Sequence, residues 1–362
     1  MDLLQPITVG RFTLRNRIVM APMQRARNDP ERVPTAIMSQ YYVQRVSMGL
    51  LISEASSVSP LSVGRPGAAA IFRPEQAEGW RRVAKSVHDA GGLMFQQLYH
   101  LGRKSDPSRM PPGTVPVAPS AVAAKGHVAG LNGPVDFAMP RALETEEIPA
   151  LVAQFRDAAV RALDAGMDGI EIHGANGYII KQFLCDGTNR RTDRYGGSIA
   201  NRTRLLAEIV EAVAEVSGKD RLGVRVSPHF RSDGIADSDP AALYLHVAST
   251  LRELGIAYLH VIESSQPDTP QSPPPGVPHL AASMRRAFGG PVIANGGYTL
   301  ETGNEAIASG AADLVSFAAL IIANPDLPER FRRNAPLNAP DRATFYDGGA
   351  KGYIDYPALS GA

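Results

Sequence analysis

The sequence predicts an α/β protein in which eight parallel strands and their helices close into a single (β/α)8 barrel, the TIM-barrel architecture. Apolar, β-favouring runs alternate with helical stretches eight times along the chain. Such alternation is typical of a parallel sheet covered by helices. The length of 362 residues also suits one large barrel with insertions. An open doubly wound sheet is the alternative.

Eight short runs rich in Val, Ile, Leu and aromatic residues are the strand candidates. They are RIVMA from Arg17, LLISEA from Leu50, LMFQQL from Leu93, GIEIH from Gly169, LGVRVS from Leu222, YLHVIE from Tyr258, PVIAN from Pro291 and DLVSFA from Asp313. Residues 3–14 are predicted to form a short hairpin before the first of them.

Helical stretches separate the strands. EQAEGWRRVAKSVHDAGG, LVAQFRDAAVRALDAG and NRTRLLAEIVEAVAEVSG are each apolar at three- and four-residue spacing. Two dipeptides, Asp239–Pro240 and Asn324–Pro325, predict an N-cap followed by proline at the first helical position. The expected helix ends fall at glycines: Gly166, Gly218 and Gly255.

One connection departs from this regular pattern. The Pro- and Gly-rich region from about residue 102 to residue 145 is too long for an ordinary loop between a strand and a helix. Long loops of this kind are often lids or binding loops, so we expect it to cap one side of an active site. It has no repeat or charge block, and residues 1–362 are therefore predicted to form one barrel domain.

Composition excludes several classes of function. With 44% hydrophobic residues, 20% charged residues and a formal net charge of +1, the chain resembles neither a disordered protein nor an electrostatic nucleic-acid binder. The longest apolar-rich run, residues 314–323, is about half a membrane span. Cys185 is the only cysteine, which favours a reducing compartment and no disulfide. We expect a cytoplasmic protein without a signal peptide, whose partner is a small molecule.

Three polar residues follow the fourth strand candidate. His173 lies at the C-terminal end of GIEIH, the face where barrel enzymes place their chemistry. His173 and Asn176 are three residues apart and can share a face, whereas Tyr178 requires an irregular turn or serves another edge of the site. Two N–H donors aimed at one oxygen would stabilise negative charge on a carbonyl, and Tyr178 could donate a proton to the neighbouring carbon. A buried histidine with an asparagine that holds a loop is the structural alternative.

Longer motifs indicate a family. EIHGANGYIIKQFL followed by TNRRTDRYGGSIANRTRLL, together with RNRIVMAPM, GGLMFQQLYHLGR, IANGGY, IANPDL and FYDGGAKGYIDYP, resembles the old yellow enzyme family over nearly the whole chain. The resemblance implies a barrel that holds FMN at its C-terminal mouth. In such enzymes NADPH or NADH reduces the flavin, and flavin N5 passes a hydride to the β-carbon of an α,β-unsaturated carbonyl compound.

The resemblance also assigns roles to residues. His173 and Asn176 match the pair that binds the substrate carbonyl oxygen, and Tyr178 matches the proton donor. The positions that match flavin contacts are Pro22, Met23, Gln24, Ala55, Gln97, Arg225, Gly296, Gly297, Ala318 and Ala319. The positions that match the substrate pocket are Arg65, Tyr99 and Tyr346.

Several of these positions depart from the family pattern. Ala318 and Ala319 stand where the family has a Gly-Arg pair whose arginine binds the flavin phosphate, so a charge-assisted contact is missing. Gln24 replaces a threonine or cysteine, and Tyr99 replaces a tryptophan. Arg65 replaces a tyrosine at the substrate mouth, which suggests an acidic or phosphorylated substrate or nicotinamide partner; a loop arginine on the surface is the alternative.

The sequence therefore predicts an FMN-dependent ene-reductase that acts on a small activated alkene and is a monomer or small homo-oligomer. The eight histidines show no spacing typical of a metal site. One alternative is a specialised family member that catalyses isomerisation or cyclisation, with weak or absent FMN. A barrel that only binds a ligand is the other, but it would leave His173, Asn176 and Tyr178 unexplained.

Overall fold

A closed barrel of eight parallel strands forms the centre of the computed structural model, which describes residues 2–130, 133–264, 266 and 269–359. The strands are, in chain order, β1 (Ile7–Val9), β2 (Phe12–Leu14), β3 (Ile18–Met20), β4 (Leu50–Ile52), β5 (Ser56–Ser57), β6 (Met94–Tyr99), β7 (Val117–Ala118), β8 (His127–Gly130), β9 (Gly133–Asp136), β10 (Arg141–Ala142), β11 (Gly169–Gly174), β12 (Leu222–Val226), β13 (Tyr258–Ile262), β14 (Val292–Asn295) and β15 (Leu314–Phe317). The barrel runs from β3 through β4, β6 and β11 to β15, which pairs with β3 and closes it. Each of the eight strand candidates overlaps one barrel strand, and the predicted barrel is confirmed.

Helices cover the outside of the barrel. They are α1 (Ala36–Val43), α2 (Pro74–Asp89), α3 (Ile148–Asp164), α4 (Ile179–Leu184), α5 (Ile199–Ser217), α6 (Pro240–Leu254), α7 (Ala281–Phe288), α8 (Leu300–Ala308), α9 (Ala319–Ala323) and α10 (Leu327–Arg332). Their apolar faces pack on the outward residues of the strands in one large hydrophobic cluster. Among the described residues, no helix is both long enough and apolar enough to span a membrane.

Of the two predicted helix N-caps, one is confirmed and the other is wrong. The side chain of Asp239 accepts a hydrogen bond from the backbone N–H of Ala242 at 2.9 Å and caps α6, as predicted. Asn324 does not begin a helix. It follows α9, and α10 begins two residues later than predicted, after Asp326. The Asn324 side chain instead bonds both to the carbonyl of Leu320 and to the backbone of Asn338, so it ties two segments together.

The hairpin of β1 and β2 closes the N-terminal end of the barrel. The two strands pair antiparallel with Ile7 opposite Leu14, which confirms the predicted hairpin. The ring of Phe12 contacts Phe95 on β6 edge-on, with the ring centroids 5.6 Å apart. The hairpin therefore fills the barrel at this end.

Side chains that point into the barrel change character along the strands. Near the N-terminal ends they are apolar and form one cluster: Val19, Leu50, Ile52, Phe95, Tyr258, Ile293 and Leu314. Because side chains alternate between the two faces of a strand, the residues two positions further on share that inward face. These residues are polar: Gln97, His260, Asn295 and Ser316. The apolar half supports the barrel, and the polar half faces its C-terminal mouth.

Two glycines leave room for the large rings of the apolar half. A Cβ on Gly169 would lie 2.4 Å from the ring of Phe95, and one on Gly223 would lie 2.1 Å from the ring of Tyr258. Both distances are shorter than van der Waals contact, so only glycine fits opposite these rings.

The long connection between β6 and α3 packs against the C-terminal side of the barrel. It contains β7 and β10, which pair with each other, and the hairpin of β8 and β9. Arg103 is buried and donates to the carbonyls of Val122, Ala123 and Asp233. Asp233 belongs to the loop after β12, so the connection is fixed to a loop of the barrel mouth.

Candidate active site

A cavity of about 540 Å³ opens at the C-terminal ends of the barrel strands. Fifteen of the sixteen residues that the sequence predicts for the site line it: Pro22, Met23, Gln24, Ala55, Gln97, Tyr99, His173, Asn176, Tyr178, Arg225, Gly296, Gly297, Ala318, Ala319 and Tyr346. Arg65 is the exception. These fifteen residues come from seven of the eight strand ends, and Ile262 at the end of β13 adds the eighth.

The turn after β11 is irregular, as the spacing requires. Asn176 and Gly177 both adopt left-handed backbone conformations, with φ of 54° and 74°. The backbone N–H of Asn176 donates to Oγ of Ser227 at 3.0 Å, which holds this turn to the end of β12. α4 begins directly after Tyr178. The turn brings the ring of Tyr178 edge-on to that of His173, with centroids 5.0 Å apart.

Three buried polar atoms in this cavity have no hydrogen-bond partner among the described residues. They are Nδ1 of His173, Oδ1 of Asn176 and Nε of Arg225. An unsatisfied buried polar atom costs about 1–3 kcal/mol, and such atoms in a native protein need an explanation. Their convergence in one cavity indicates that a polar ligand completes them.

Burial sets the protonation of the two rings. It lowers the pKa of His173 well below its usual value, and the nearby positive charge of Arg225 lowers it further. Burial also raises the pKa of Tyr178 to about 12. Near neutral pH the imidazole is therefore uncharged and can donate one N–H, while the phenol keeps its proton.

A hydrogen-bonded network lies beneath the cavity. Glu171 accepts from Nε2 of Gln97 at 2.6 Å, from the hydroxyl of Tyr258 at 3.0 Å and from Nδ1 of His260 at 2.9 Å. His260 Nε2 lies 2.8 Å from the hydroxyl of Ser316. The network fixes the amide of Gln97, so its carbonyl oxygen is left to face a ligand.

The network beneath the cavity contains one negative and one positive group, Glu171 and Arg225. Burial raises the pKa of Glu171, but His260 and Arg225 together with the hydrogen bonds outweigh it, and the net shift is downward. Burial lowers the pKa of Arg225 to about 10, against the attraction of Glu171. Both groups are charged at neutral pH. Arg225 also donates to Oδ1 of Asn295 at 3.1 Å, which directs its guanidinium within the layer.

Sequence reasoning missed part of the site. Nothing in the spacing of His260 distinguishes it from a packing or surface residue, yet it links Glu171 to Ser316 in the network under the cavity. The loop between β13 and α7 also lines the cavity, with Ser264, Gln266, Thr269 and Gln271. The other lining residues that were not predicted are Arg25, Ile262, Asn295, Ile322 and Phe345. For Glu171 a signal existed, since it shares a strand face with His173; the irregular loop has no such periodicity.

The glycines at the other end of the cavity form a narrow cradle. A Cβ on Gly296 would lie 1.8 Å from the carbonyl oxygen of Glu263, so only glycine fits there. Gly297 has a left-handed φ of 89°. Ala318 and Ala319 lie on the same side, at the start of α9. The backbone can therefore approach a ligand closely at this end.

No free cation faces this cradle among the described residues that line the cavity. Its two arginines are Arg25 and Arg225. Arg25 is buried and already donates to the carbonyls of Phe345 and Gly352 and to the Tyr41 hydroxyl. Arg225 belongs to the layer around Glu171. The absence of an arginine after β15, noted in the sequence, is thus not compensated by another lining side chain.

The cavity mouth is formed by aromatic rings. Tyr99 and Tyr178 have ring centroids 5.6 Å apart, and Gln24 donates to the carbonyl of Ala55 at 3.1 Å. The guanidinium of Arg65 lies 3.9 Å from the ring centroid of Tyr346. Arg65 is not part of the lining of this cavity but lies against Tyr346, which is, and its contact with the substrate stays a prediction.

A barrel with a polar pocket at the C-terminal ends of its strands has the architecture of a barrel enzyme. The chain belongs to the NADH:flavin oxidoreductase / NADH oxidase family, which it matches over residues 2–338. It is 44% identical to the putative 12-oxophytodienoate reductase 11 of Oryza sativa subsp. japonica, over 99% of this chain and 97% of that one. It is 42% identical to a probable flavin mononucleotide-dependent alkene reductase of Leishmania infantum, over 99% and 97%.

Solved structures of similar sequence superpose closely on the chain. The old yellow enzyme homologue of Zymomonas mobilis superposes with a TM-score of 0.96 at 43% identity, covering 99% of this chain and 100% of that one. Morphinone reductase in complex with tetrahydroNAD superposes with a TM-score of 0.93 at 44% identity, covering 99% and 98%. The protein is an enzyme of the NAD(P)H-dependent FMN ene-reductase family, with FMN as cofactor and a nicotinamide as reductant.

The residues of the cavity fit FMN at its ring end. The fixed amide of Gln97 can both donate to and accept from the polar edge of a flavin. Nε of Arg225 is buried without a partner among the described residues and can meet that edge with a positive charge. The glycine cradle fits a phosphate through backbone N–H groups, but with neutral donors alone.

An arginine at position 319 is expected to tighten FMN binding. Ala319→Arg adds a cation beside the cradle, and a charge-assisted hydrogen bond contributes about 1.5–3 kcal/mol, so the Kd for FMN should fall about tenfold or more. Riboflavin, which lacks the phosphate, should gain nothing. Quenching of flavin fluorescence by the apoprotein measures both Kd values. Ala311→Arg, at the opposite end of β15, is the control for added charge; an equal gain for riboflavin would contradict the phosphate contact.

Proposed function

We propose that the protein reduces the C=C bond of α,β-unsaturated carbonyl or similarly activated compounds, with NADPH or NADH as the source of electrons. One observation carries the proposal. Nδ1 of the neutral imidazole of His173 is buried without a partner among the described residues, and the side-chain amide of Asn176 and the protonated phenol of Tyr178 lie in the same cavity. These are the groups that a carbonyl and its neighbouring carbon need.

The carbonyl oxygen of the substrate binds to His173 and Asn176. Each donates one N–H, and negative charge that develops on the oxygen is stabilised by both. Withdrawal of electrons toward the oxygen makes the β-carbon a better acceptor of a hydride. Both donors are uncharged, and the backbone that carries them is held by β11 and by the hydrogen bond from the backbone N–H of Asn176 to Ser227.

Tyr178 supplies the proton. Its hydroxyl donates to the α-carbon as the double bond is reduced, and its high pKa keeps the proton available at neutral pH. The ring is fixed between His173 and Tyr99, so the hydroxyl stays beside the carbonyl site.

Gln97, Arg225 and the glycine cradle hold the cofactor. When bound, FMN would supply the hydride that the β-carbon receives. NADPH or NADH would then return a hydride to the flavin. Arg225 provides the positive charge that stabilises a reduced flavin, and Glu171 holds Gln97 in the orientation that pairs with the ring. His127 and Val128 of β8 line a smaller cavity that also borders Tyr178.

A second candidate function has one observation in its favour. The cradle at Gly296 lacks a cation among the described lining residues, which favours weak binding of FMN and allows a specialised isomerisation or cyclisation that uses His173, Asn176 and Tyr178 as acid–base groups. The intact pair of Gln97 and Arg225 favours the reductase.

The deciding experiment combines a spectrum with a product analysis. The purified protein, supplied with FMN, is expected to show flavin absorbance near one equivalent per chain after heat release. With NADPH or NADH under argon, it should convert 2-cyclohexenone to cyclohexanone with the carbonyl intact. A protein that binds no flavin at saturating FMN, or that binds it and leaves every alkene unreduced, would contradict the proposed function.

A further inference from the structure

A second cavity, of about 670 Å³, lies beside the active-site mouth and has three arginines in its lining. They are Arg32, Arg65 and Arg109, and we call this cavity the arginine pocket. Asp29 and Asp347 also line it. None of the five carboxylate or guanidinium groups forms an ion pair with another of them among the described residues.

The guanidinium of Arg32 has few partners to balance its charge. It is half-buried, and the one hydrogen bond of its guanidinium among the described residues is a long one, 3.4 Å, to the carbonyl of Ala68. Burial lowers the pKa of Arg32, and the positive charges of Arg109 and Arg73 lower it further. Like charges are therefore close together here, and an anion between them would relieve their repulsion.

The two other arginines leave donors available. Arg65 is exposed and stacks on Tyr346, and its guanidinium forms no hydrogen bond or ion pair with the described residues. Arg109 uses Nε for Asp106, at 3.0 Å, which leaves its terminal nitrogens. An arginine with free terminal nitrogens can hold a carboxylate or phosphate through paired hydrogen bonds.

The two acidic residues of the arginine pocket are engaged elsewhere. Oδ1 of Asp29 accepts from the backbone N–H of Val33 at 2.8 Å, and Oδ1 of Asp347 accepts from that of Gly348 at 2.7 Å. They reduce the positive charge of the pocket but do not occupy the arginine donors.

The arginine pocket adjoins the active site. A third cavity, of about 310 Å³, lies between them. It shares Gln24, Tyr99 and Tyr178 with the active site and Arg65 with the arginine pocket, while Tyr346 lines all three cavities. One elongated molecule can therefore reach from His173 past the ring of Tyr346 to the arginines.

We propose that the arginine pocket binds the anionic group of a molecule whose reacting end lies in the active site. This inference rests on the proposed function and adds to it the class of ligand: a small molecule with a carboxylate or phosphate remote from its reacting carbon. Two sources share this chemistry, an activated alkene with an acidic side chain and a nicotinamide dinucleotide that carries an additional phosphate. The three arginines select either one over a neutral counterpart.

The proposal is tested by kinetics with matched pairs of charged and neutral ligands. The wild type is compared with the variants Arg32→Gln and Arg65→Gln. The first pair is a 2-cyclohexenone with a carboxyalkyl chain and its methyl ester; the second is NADPH and NADH. In the wild type the acid or NADPH is expected to have the lower KM. In each variant the kcat/KM ratio of the preferred ligand to its neutral counterpart should fall about tenfold, as loss of one charge-assisted contact implies.

The pattern of losses identifies the source. A fall confined to the acid–ester ratio assigns the pocket to the substrate, and a fall confined to the NADPH–NADH ratio assigns it to the reductant. If both ratios stay within twofold of the wild type in both variants, the proposal is wrong. Arg156→Gln, an exposed arginine on α3, is the control and should change neither ratio.

A binding measurement separates this proposal from the proposed function. Calorimetry on the holoenzyme with NADP+ and NAD+, and with the acid and ester made unreactive by saturating their double bonds, requires no turnover. If the protein fails to reduce the neutral ester, the proposed ene-reductase function is contradicted. A tenfold loss of affinity for one anionic ligand in Arg32→Gln would still support anion binding by the arginine pocket. Equal affinities for charged and neutral ligands in the wild type would overturn it.

Discussion

Replacing Tyr178 by phenylalanine is expected to lower the rate of alkene reduction about 10²- to 10⁴-fold, the range that general acid catalysis contributes. The phenyl ring keeps the edge-on contact with His173 and the contact with Tyr99, so only the hydroxyl and its proton are lost. Stopped-flow measurement of flavin reoxidation by 2-cyclohexenone isolates this step from flavin reduction by the nicotinamide. The solvent isotope effect on reoxidation should change as well, because the proton then comes from water.

The pH profile checks the same assignment. Burial raises the pKa of Tyr178 to about 12, so the phenol is protonated throughout pH 6 to 10. Reoxidation of the wild-type flavin should therefore show no loss of rate across this interval that depends on Tyr178. A loss with an apparent pKa near 8 that disappears in Tyr178→Phe would mean that the site does not hold the phenol as the structure indicates.

Features with a regular period could be predicted from the sequence. The eight barrel strands follow from repeated apolar runs, and the cap at Asp239 follows from a residue pair with a direct physical meaning. The predicted cap at Asn324 had the same kind of residue pair and was wrong. Its side chain binds Asn338, fourteen residues away, and no local pattern shows a contact of that kind.

The candidate site also has a part that could be predicted from the sequence and a part that could not. His173, Asn176 and Tyr178 lie together because they follow one strand, and the C-terminal ends of parallel strands meet at one face. The network of Glu171 joins residues up to 89 positions apart, and its geometry depends on the register of β11 against β6 and of β12 against β13. The arginine pocket depends on long loops whose packing has no period, so Arg65 could be suspected from the sequence but Arg32 and Arg109 could not.

These long-range contacts also limit how far family resemblance assigns function. The barrel agrees with the family, and the roles proposed for the ring end of the cofactor site and for the pair at the carbonyl site follow the resemblance to it. The phosphate cradle and the mouth depart from it, at Ala319 and at Arg65. Cofactor affinity and ligand selection are therefore the properties in which we expect this protein to differ from its relatives, whereas the chemistry at the alkene should be shared.

Removing either donor to the carbonyl oxygen should lower kcat/KM for the alkene about 10²- to 10³-fold, the loss seen when one such donor is removed. His173→Ala and Asn176→Ala each leave a single N–H to meet the developing charge. Both donors are uncharged, since burial holds the pKa of His173 well below its usual value, and the effect of His173→Ala should therefore be the same at pH 7 and pH 9. Steady-state kinetics with 2-cyclohexenone at both pH values, with flavin content verified for each variant, measures the loss.

The double variant shows whether the two groups bind one oxygen. If they do, the losses should be non-additive, because the carbonyl has no fixed position once either donor is gone. His246→Ala, a half-buried histidine on α6, is the control and should change kcat/KM less than about twofold. Additive losses in the double variant would mean that His173 and Asn176 contact different atoms of the substrate. In that case the two side chains select and orient the alkene separately, and polarisation of the carbonyl has to come from one of them alone.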